Sequence, residues 1–259
     1  MTRLHLELLS QATGLQNFPV IFVVEHPQNP EVMRLLQGFN ANKEIITRPT
    51  HFGLTKNILE ALKHTMSKAS HYTIVLLDEI TISKDFLKFV NYCYHHFYTN
   101  DLLSITGYTE TEGKHNEVEY HDWYQDYGIL ITKTAFDKYI LPHCNAEYYN
   151  NRDRYLQKHF PGIFKKQWNE QCGLIQRVRV QQKLRILKSC VCRSIPIGIY
   201  GGRSKSILQT KAYEERYRAL KQIMENPQSV LAMQQSGPKV IKPWQPEYPN
   251  WEHITLKGG

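Results

Sequence analysis

Two adjacent carboxylates, Asp78 and Glu79, end an apolar run that begins near residue 71 and has the length of a β-strand. Carboxylate oxygens are the ligands that Mg²⁺ and Mn²⁺ prefer, and a nucleoside diphosphate can supply the remaining oxygen ligands. The pair therefore indicates a divalent-cation site at the end of a strand. The same residue types also occur in a turn that caps a following helix, so both interpretations stay open at this point.

The residues around this pair alternate between short apolar runs and amphipathic stretches. The runs have strand length, and the stretches carry apolar residues at helical spacing. Continuous apolar strands that alternate with helices predict an α/β fold, with a mostly parallel sheet covered by helices on both faces. Ligands of such sheets bind beyond the carboxyl ends of the strands, where Asp78 and Glu79 fall. Strands are predicted at residues 19–24, 44–48, 71–79 and 102–108, and helices at 30–39, 53–66 and 83–97.

The second half of the chain is less regular. Residues 109–120 are polar and predict an exposed loop, and residues 127–132 predict a strand. Residues 226–259 contain five prolines and two tryptophans, which indicates either a flexible tail or a strap packed onto the body. Further helices are predicted at 133–140, 152–160, 166–179 and 210–225, and a further strand at 184–193.

Four segments resemble, in the same order, segments of GT-A glycosyltransferases, and the nearest patterns are N-acetylglucosaminyltransferase I and the family 2 type enzymes. They are PVIFVVEHPQNPEV at residues 19–32, GLTKNILEAL at 53–62, VLLDEITISKDF at 75–86 and FKKQWNEQC at 164–172. The resemblance spans roughly residues 3–201. It implies a single catalytic domain with a Rossmann-like GT-A sheet. It also implies the transfer of a sugar from a nucleotide sugar, with UDP-sugars favoured, to an acceptor hydroxyl.

The resemblance assigns donor-side roles to four residues. Glu25 matches the acidic strand end that faces the uracil base, and Lys56 matches a lysine near the nucleotide. Glu79 matches the direct ligand of Mn²⁺ or Mg²⁺, supported by Asp78, while Leu77 replaces the first acid of the family motif. The metal would neutralise the charge that develops on the departing nucleoside diphosphate.

The resemblance also assigns the acceptor side. Glu170 matches the base that takes the proton of the acceptor hydroxyl, which implies inversion at the anomeric carbon. Trp168 matches the motif's tryptophan, and Asn169 replaces its first acid. Asp122 and Asp126 are the reserve candidates for the base, because they precede the strand at 127–132 where family members line the sugar and acceptor pocket.

Two segments depart from the pattern or extend it. Pro196 stands where a histidine often touches metal or phosphate, so no metal role transfers there. Arg203 follows two glycines and could hold the diphosphate together with backbone N–H groups, although an ordinary turn is the alternative. The resemblance implies a first strand ahead of the helix predicted near residues 2–12, whereas the sequence begins at that helix. Either a piece precedes it or the sheet starts differently.

The net charge of +8 is unevenly distributed along the 259 residues. Residues 1–150 carry a net −5 and residues 151–222 a net +13. We therefore divide the domain into a nucleotide-sugar-binding half at 1–108, an acceptor-binding half at 109–225 and a Pro/Trp-rich tail at 226–259. The basic segment favours an acidic acceptor such as modified DNA, a phospholipid carrier or a glycan. The alternative function is a non-catalytic nucleic-acid-binding protein that uses residues 151–222.

The five cysteines have no paired spacing that is typical of zinc sites or of a secreted disulfide framework. Free thiols in a reducing compartment are therefore expected. No apolar run reaches the length of a transmembrane span, and the first residues lack the apolar core of a signal peptide. The sequence thus predicts a soluble, cytoplasmic protein.

Overall fold

Helices and strands alternate through most of the chain in the computed structural model. Together they form one α/β domain in which helices cover both faces of a mixed sheet. The structure describes residues 2–109, 113–163, 170–196, 245–249 and 251–257, together with residues 215, 217–218, 221–222 and 225.

The strands are β1 Val20–Val24, β2 Lys43–Thr47, β3 Tyr72–Val75, β4 Ile80–Ile82, β5 Leu102–Thr106, β6 Glu117–His121, β7 Ile129–Thr132, β8 Arg185–Ser189, β9 Ser194–Pro196 and β10 Thr255–Leu256. The helices are α1 Thr2–Ser10, α2 Pro30–Gly38, α3 Leu54–Lys68, α4 Phe86–Phe97, α5 Lys133–Ala135, α6 Ala146–Asn150, α7 Arg152–His159 and α8 Gln171–Gln182. A π-helical turn, Phe136–Ile140, continues α5. Among the residues that the structure describes, no helix is long and apolar enough to cross a membrane.

The largest sheet has six strands in the order β10-β6-β8-β5-β7-β3. Three of its five strand pairs are antiparallel, so the prediction of a mostly parallel sheet is corrected to a mixed one. The physical reason is the connection after β5. Its described residues, 107–109 and 113–116, hold no crossover helix, and the chain returns through β6 and β7 as strands that run against β8 and β5.

Two smaller pairs flank the large sheet. β1 and β2 form a parallel pair, joined by α2 as expected for a β-α-β unit. β4 and β9 form an antiparallel pair in which Ile80 lies opposite Pro196. The second pair therefore places the segment that follows β3 beside the segment that follows β8.

The polar segment at 109–120, which the sequence predicts to be a loop, contains most of strand β6. Only Val118 of β6 is buried, while its neighbours are partly or fully exposed. One buried apolar residue in five is too weak a pattern to announce a strand. The strand forms because β8 and β10 pair with its two edges.

Two apolar clusters cover opposite faces of the sheet. The first packs α3 and α8 against β7 and includes Leu59, Leu62 and Ile131. The second packs α1, α2 and α4 against the other face and includes Leu6, Leu36 and Phe89. The sheet is therefore the middle layer of three.

The C-terminal residues pack onto the body through a buried ion pair. Arg193 Nε lies 2.7 Å from Asp85 Oδ2, and the two side chains are 0% and 2% exposed. The Tyr248 amide N–H donates to Asp85 Oδ1, and the Tyr248 hydroxyl donates to the Cys192 carbonyl. β10 also adds to the sheet beside β6. Of the two interpretations of this segment, the packed strap describes residues 245–249 and 251–257; Trp244 lies outside the described residues.

Candidate functional site

The carboxylate pair Asp78–Glu79 forms the turn between β3 and β4. The turn is closed by the Ile80 N–H, which donates to the Leu77 carbonyl at 2.9 Å. Asp78 is exposed and Glu79 is half-buried. Neither residue caps a helix, because α4 begins only at Phe86, after Asp85. The turn interpretation is thus correct, the capping interpretation is wrong, and both carboxylates remain available for a ligand.

Glu25 follows the carboxyl end of β1 and is held by the segment before α3. Its Oε1 accepts the amide N–H groups of Phe52 at 2.9 Å and His26 at 3.1 Å, and His51 Nδ1 lies 3.9 Å away. Partial burial raises the pKa of the Glu25 carboxyl, but the two N–H groups and His51 outweigh burial and leave its pKa below the ordinary value. Glu25 is therefore an anion at neutral pH.

The second carboxylate oxygen of Glu25 stands out. Oε2 is buried and has no hydrogen-bond partner among the residues that the structure describes. The carboxyl as a whole is stabilised by the N–H groups of Phe52, His26 and Gly53, but a buried oxygen that lacks a donor of its own is still costly. This oxygen is therefore able to accept an N–H or O–H group of a ligand.

Glu25 and Asp78 line the same cavity, whose volume is about 490 Å³. His51, Leu54 and Asn57 line it with them, at the carboxyl ends of β1 and β3 and the amino end of α3. The structure thus brings together two predicted site residues that lie 53 positions apart in sequence. The rest of the cavity is apolar and extends between the two strands.

A second group of polar side chains begins at Thr55, the residue after the cavity-lining Leu54 in α3. Thr55 Oγ1 donates to Gln171 Oε1 at 3.2 Å, and Gln171 Nε2 donates to Asp126 Oδ2 at 2.9 Å. Arg152 Nη1 donates to Thr55 Oγ1 at 2.8 Å. The chain of hydrogen bonds joins the amino ends of three helices, α3, α7 and α8, to the loop before β7.

Lys56 follows Thr55 in the first turn of α3. Its ammonium lies 4.3 Å from the ring centre of Phe52 and 5.7 Å from that of Tyr149. The amide of Phe52 is the group that donates to Glu25. Lys56 therefore places a positive charge at the amino end of α3, where the helix dipole also favours an anion.

Glu170 is exposed and stands at the position before α8, where its side chain makes no cap hydrogen bond to the helix. It adjoins Gln171, the residue that holds Asp126. Burial, followed by the charges of Asp126 and Glu170, raises the pKa of the Cys172 thiol to about 11. Asp126 and Glu170 are therefore both near enough to Cys172 for their charges to raise the pKa of its thiol.

Asp122 lies elsewhere. Its side chain is 97% exposed and pairs with Arg179 at 3.0 Å in the last turn of α8. Gln171 and Arg179 are eight residues apart, or about 12 Å along the helix axis. Asp122 is therefore not gathered with Asp126 and Glu170. Trp168, Asn169 and Arg203 lie outside the described residues.

Close packing at Gly128 brings the Asp126 loop against the β4–β9 pair. Gly128 has φ +78°, and a Cβ there would lie 2.6 Å from the Ser194 Cβ and 3.4 Å from the Ile80 side chain. Ser194 Oγ also donates to the Tyr127 carbonyl. Ile80 directly follows the Asp78–Glu79 turn, and Gly128 lies two residues after Asp126. The Asp78–Glu79 turn and the Asp126 loop therefore both border the β4–β9 pair.

Thr55 and Gln171 of the network, and His51 beside Glu25, were absent from the sequence prediction as site residues. Thr55 and Gln171 are buried polar residues that lie 116 positions apart. Single polar residues at such separation leave no pattern in the sequence. The only available signal was their position beside Lys56 and Glu170, which the resemblance had singled out.

The donor set fits a cation that is shared with a ligand. Within the described ranges no group of three His, Cys, Asp or Glu side chains could hold a metal ion. Asp78 and Glu79 offer hard oxygen ligands, which suit Mg²⁺ or Mn²⁺ when phosphate and water complete the coordination. A cation held by the protein alone does not fit these residues.

Five cations of the basic segment pair with acids of the first half. Arg179, Arg185 and Lys188 pair with Asp122, Asp101 and Glu119, at 3.0, 2.6 and 2.9 Å. Lys158 pairs with Glu147, and Arg193 pairs with Asp85 in the core. The charge that is separated along the sequence is therefore brought together in space.

No protein-family model matches the chain, and no curated protein matches it.

Proposed function

We propose that the chain is a metal-dependent, inverting glycosyltransferase of the GT-A type, which moves a sugar from a nucleotide sugar to an acceptor hydroxyl. The observation that supports it most is the gathering of acidic residues around the amino end of α3. Glu25 and Asp78 line one cavity there, and Thr55, next to the cavity-lining Leu54 in α3, is joined through Gln171 to Asp126. UDP-sugars are the favoured donors.

The donor side of the proposal rests on Glu25 and Lys56. The partnerless Oε2 of Glu25 would accept the N–H of a uracil base, which carries a donor in its plane. Lys56 and the amino end of α3 would attract the diphosphate. Glu79 and Asp78 would hold Mn²⁺ or Mg²⁺ together with the diphosphate oxygens, and the metal supplies charge neutralisation for the leaving group.

The acceptor side rests on Glu170 and Asp126. In a single displacement the acceptor oxygen bonds to the anomeric carbon, the bond to the phosphate oxygen breaks, and the hydroxyl proton moves to a carboxylate. Glu170 is exposed and makes no cap hydrogen bond to α8, so it is the proposed base. Asp126 is held by Gln171 and serves to orient the sugar or acceptor.

The direct test is a screen for nucleotide-sugar hydrolysis in the presence of Mn²⁺. We expect slow release of UDP from one donor even without an acceptor. Glu170→Gln should leave UDP affinity within about twofold of the parent, because the base does not touch the nucleotide, and should reduce acceptor-dependent transfer by roughly 100-fold or more. Full transfer by Glu170→Gln would eliminate Glu170 as the base, and absence of release from every nucleotide sugar would overturn the function.

The metal assignment has its own test. UDP with Mn²⁺ should raise the unfolding temperature of the protein, whereas Mn²⁺ alone should have little effect because two carboxylates do not complete its coordination. Glu79→Ala should remove the Mn²⁺-dependent part of the shift. Glu31→Ala, an exposed acid on α2, is the matched control and should retain it. An unchanged shift in Glu79→Ala would sink the metal assignment.

The proposed acceptor is acidic. Its candidate classes are modified DNA, a phospholipid carrier and a glycan. The competing proposal, a nucleic-acid-binding protein, draws on the basic segment at 151–222. The ion pairs of Arg179, Arg185, Lys188 and Arg193 lessen its support, because paired cations release few counterions on binding. DNA binding that weakens by about 1,000-fold between 50 and 200 mM salt, with no hydrolysis of any donor, would favour it.

A further inference from the structure

Arg152 is a cation of the site network that no acid of the described residues neutralises. Its Nη1 donates to Thr55 Oγ1 at 2.8 Å, and its guanidinium forms no ion pair within the part of the chain that the structure describes. The residue opens α7 and is half-buried. A guanidinium presents several N–H donors in one plane, so this one keeps donors for a ligand after it has bonded Thr55.

Other cations of the basic segment at 151–222 are already engaged. Five of them pair with acids of the first half, namely Lys158, Arg179, Arg185, Lys188 and Arg193. Their charges are neutralised within the protein and are not offered to a partner. Arg154, two positions after Arg152 in α7, is exposed and takes no part in the bonds of the site network. Arg152 therefore combines an unpaired charge with a place in the site.

Three hydrogen bonds connect the Arg152 guanidinium to the carboxylate of Asp126. They run from Arg152 to Thr55, from Thr55 to Gln171 and from Gln171 to Asp126. With hydrogen bonds of about 3 Å and one side-chain amide among them, the path is at most about 11 Å long. Glu170, the proposed base, adjoins Gln171. A ligand that reaches Arg152 with one group therefore brings its next groups close to both carboxylates.

A second cation without an acidic partner in the described ranges stands beside Thr55. Lys56 is its neighbour in α3, and the Lys56 ammonium lies 5.7 Å from the ring centre of Tyr149 in α6. The charge of Arg152 reaches the same helix, because it opposes the rise that burial causes in the pKa of the Tyr148 phenol. An anion near Thr55 would thus meet positive charge from both α3 and α7.

The donors of Arg152 select the chemical class of the ligand. A guanidinium suits carboxylates and phosphates, because its planar fork can bond two oxygens at once, and half-burial strengthens the bond. A polyanion such as DNA needs a row of free cations that meets successive phosphates. Ion pairs withdraw five cations of the basic segment from such a row. The arrangement therefore fits a single acid group better than a charged polymer.

We propose that Arg152 binds the acid group of the acceptor, and that the acceptor is a sugar acid or a sugar phosphate within a glycan. Its carboxylate or phosphate bonds to Arg152, which Thr55 holds in place, and a hydroxyl of the same or the neighbouring sugar unit lies at Glu170 and Asp126. The role as acceptor rests on the proposed function, whereas the binding of the acid group to Arg152 is measurable without any transfer.

The test is protection of Arg152 from phenylglyoxal, which modifies free guanidinium groups, with peptide mass spectrometry of the full chain as the measurement. Millimolar glucuronate or glucose 6-phosphate should slow the modification of Arg152 by about fivefold, because the bound acid group covers its donors. Glucose should give no protection. Arg154, exposed in the same helix, is the internal control and should react equally in all samples. Unprotected Arg152 in the presence of both sugar anions would overturn the proposal.

Two further samples identify the source of any protection. UDP with Mn²⁺ should leave Arg152 reactive, and protection equal to that by glucuronate would assign Arg152 to the donor diphosphate and overturn the acceptor role. A single-stranded oligothymidylate should protect less than the sugar anions. Stronger protection by this DNA, extending to Arg154, would assign α7 to a polyanion and would likewise overturn the proposal.

A pair of variants extends the test to affinity. Arg152→Gln should weaken the binding of glucuronate, measured by calorimetry, by about tenfold or more, whereas Arg154→Gln should keep the parent affinity. Equal affinities in the two variants would contradict the role of Arg152, and a failure of Arg152→Gln to fold leaves the decision to the labelling of the parent chain. Protection of Arg152 without UDP release from any nucleotide sugar would overturn the proposed function and leave the acid-binding site standing. Donor hydrolysis without protection would do the reverse.

Discussion

Two groups of strands differ in burial although they are similarly apolar: β5 and β7, which we call the closed side, and β1 and β3, which we call the open side. Every residue of β5 and β7 is buried, because each of these strands is paired along both edges and covered on both faces. Every residue of β1 and β3 is only half-buried, because one edge of each borders the cavity. An apolar run thus identifies a strand, whereas its burial depends on neighbours that its own residues do not specify.

The largest effect is expected on the closed side, where Arg193 neutralises Asp85 in the core. Arg193→Met leaves a buried carboxylate without its cation and should lower the free energy of unfolding by about 3–5 kcal/mol. The double variant Asp85→Leu/Arg193→Met should recover much of this loss. Urea unfolding measures both, and equal losses in the single and double variants would contradict the ion-pair explanation.

A matched pair of isoleucines compares the two sides directly. Ile105 of β5 is fully buried, and Ile105→Ala should cost about 2–5 kcal/mol of unfolding free energy, since it leaves a cavity in a closed core. Ile21 of β1 borders an existing cavity, so Ile21→Ala should cost about 1 kcal/mol or less. Similar losses at the two positions, again from urea unfolding, would show that the open side is as tightly packed as the closed one.

The smallest effect concerns acid stability at Glu25. Its pKa in the folded protein lies below the ordinary value of 4.5, so its carboxylate stabilises the fold fully above that pH. The stabilisation is lost as pH falls through the lowered folded-state pKa. Glu25→Gln should therefore reduce stability at pH 7 slightly and flatten its decline below pH 4.5. An unchanged slope in that acid range would argue against the contacts of Glu25 with Phe52 and His51.

The sequence predicted the elements with strong apolar patterns and the residues at their ends. β1, β2 and α3 fall within one or two residues of their expected bounds, and Glu25 and Asp78 lie beyond the strand ends as expected. The predicted strand at 71–79 ends earlier, at Val75, because the Leu77–Ile80 turn redirects the chain into β4. Asp78 and Glu79 are compatible with a turn, but the apolar Leu76 and Leu77 before them carry no signal that the strand has already ended at Val75.

The sequence could not predict what distant partners decide. The bond between Thr55 and Gln171 joins residues 116 positions apart, and the direction of β7 follows from its pairing with β3 and β5. The basic segment misled for the same reason. Its net charge of +13 suggests an exposed cationic surface, yet several of these cations, such as Lys188 and Arg193, are buried against acids of the first half.

Hydrogen exchange of backbone amides in the unmodified chain tests the open-sheet account most directly. The Val24 carbonyl accepts from the Arg48 N–H, so the peptide groups of Phe22 and Val24 face β2 and those of Ile21 and Val23 face the cavity. Ile21 and Val23 should therefore exchange about 100-fold faster than Phe22 and Val24. Amides of β5 should be uniformly protected, because both of its edges are paired. Uniform protection along β1, equal to that of β5, would contradict the open edge and with it the difference between the open and the closed side.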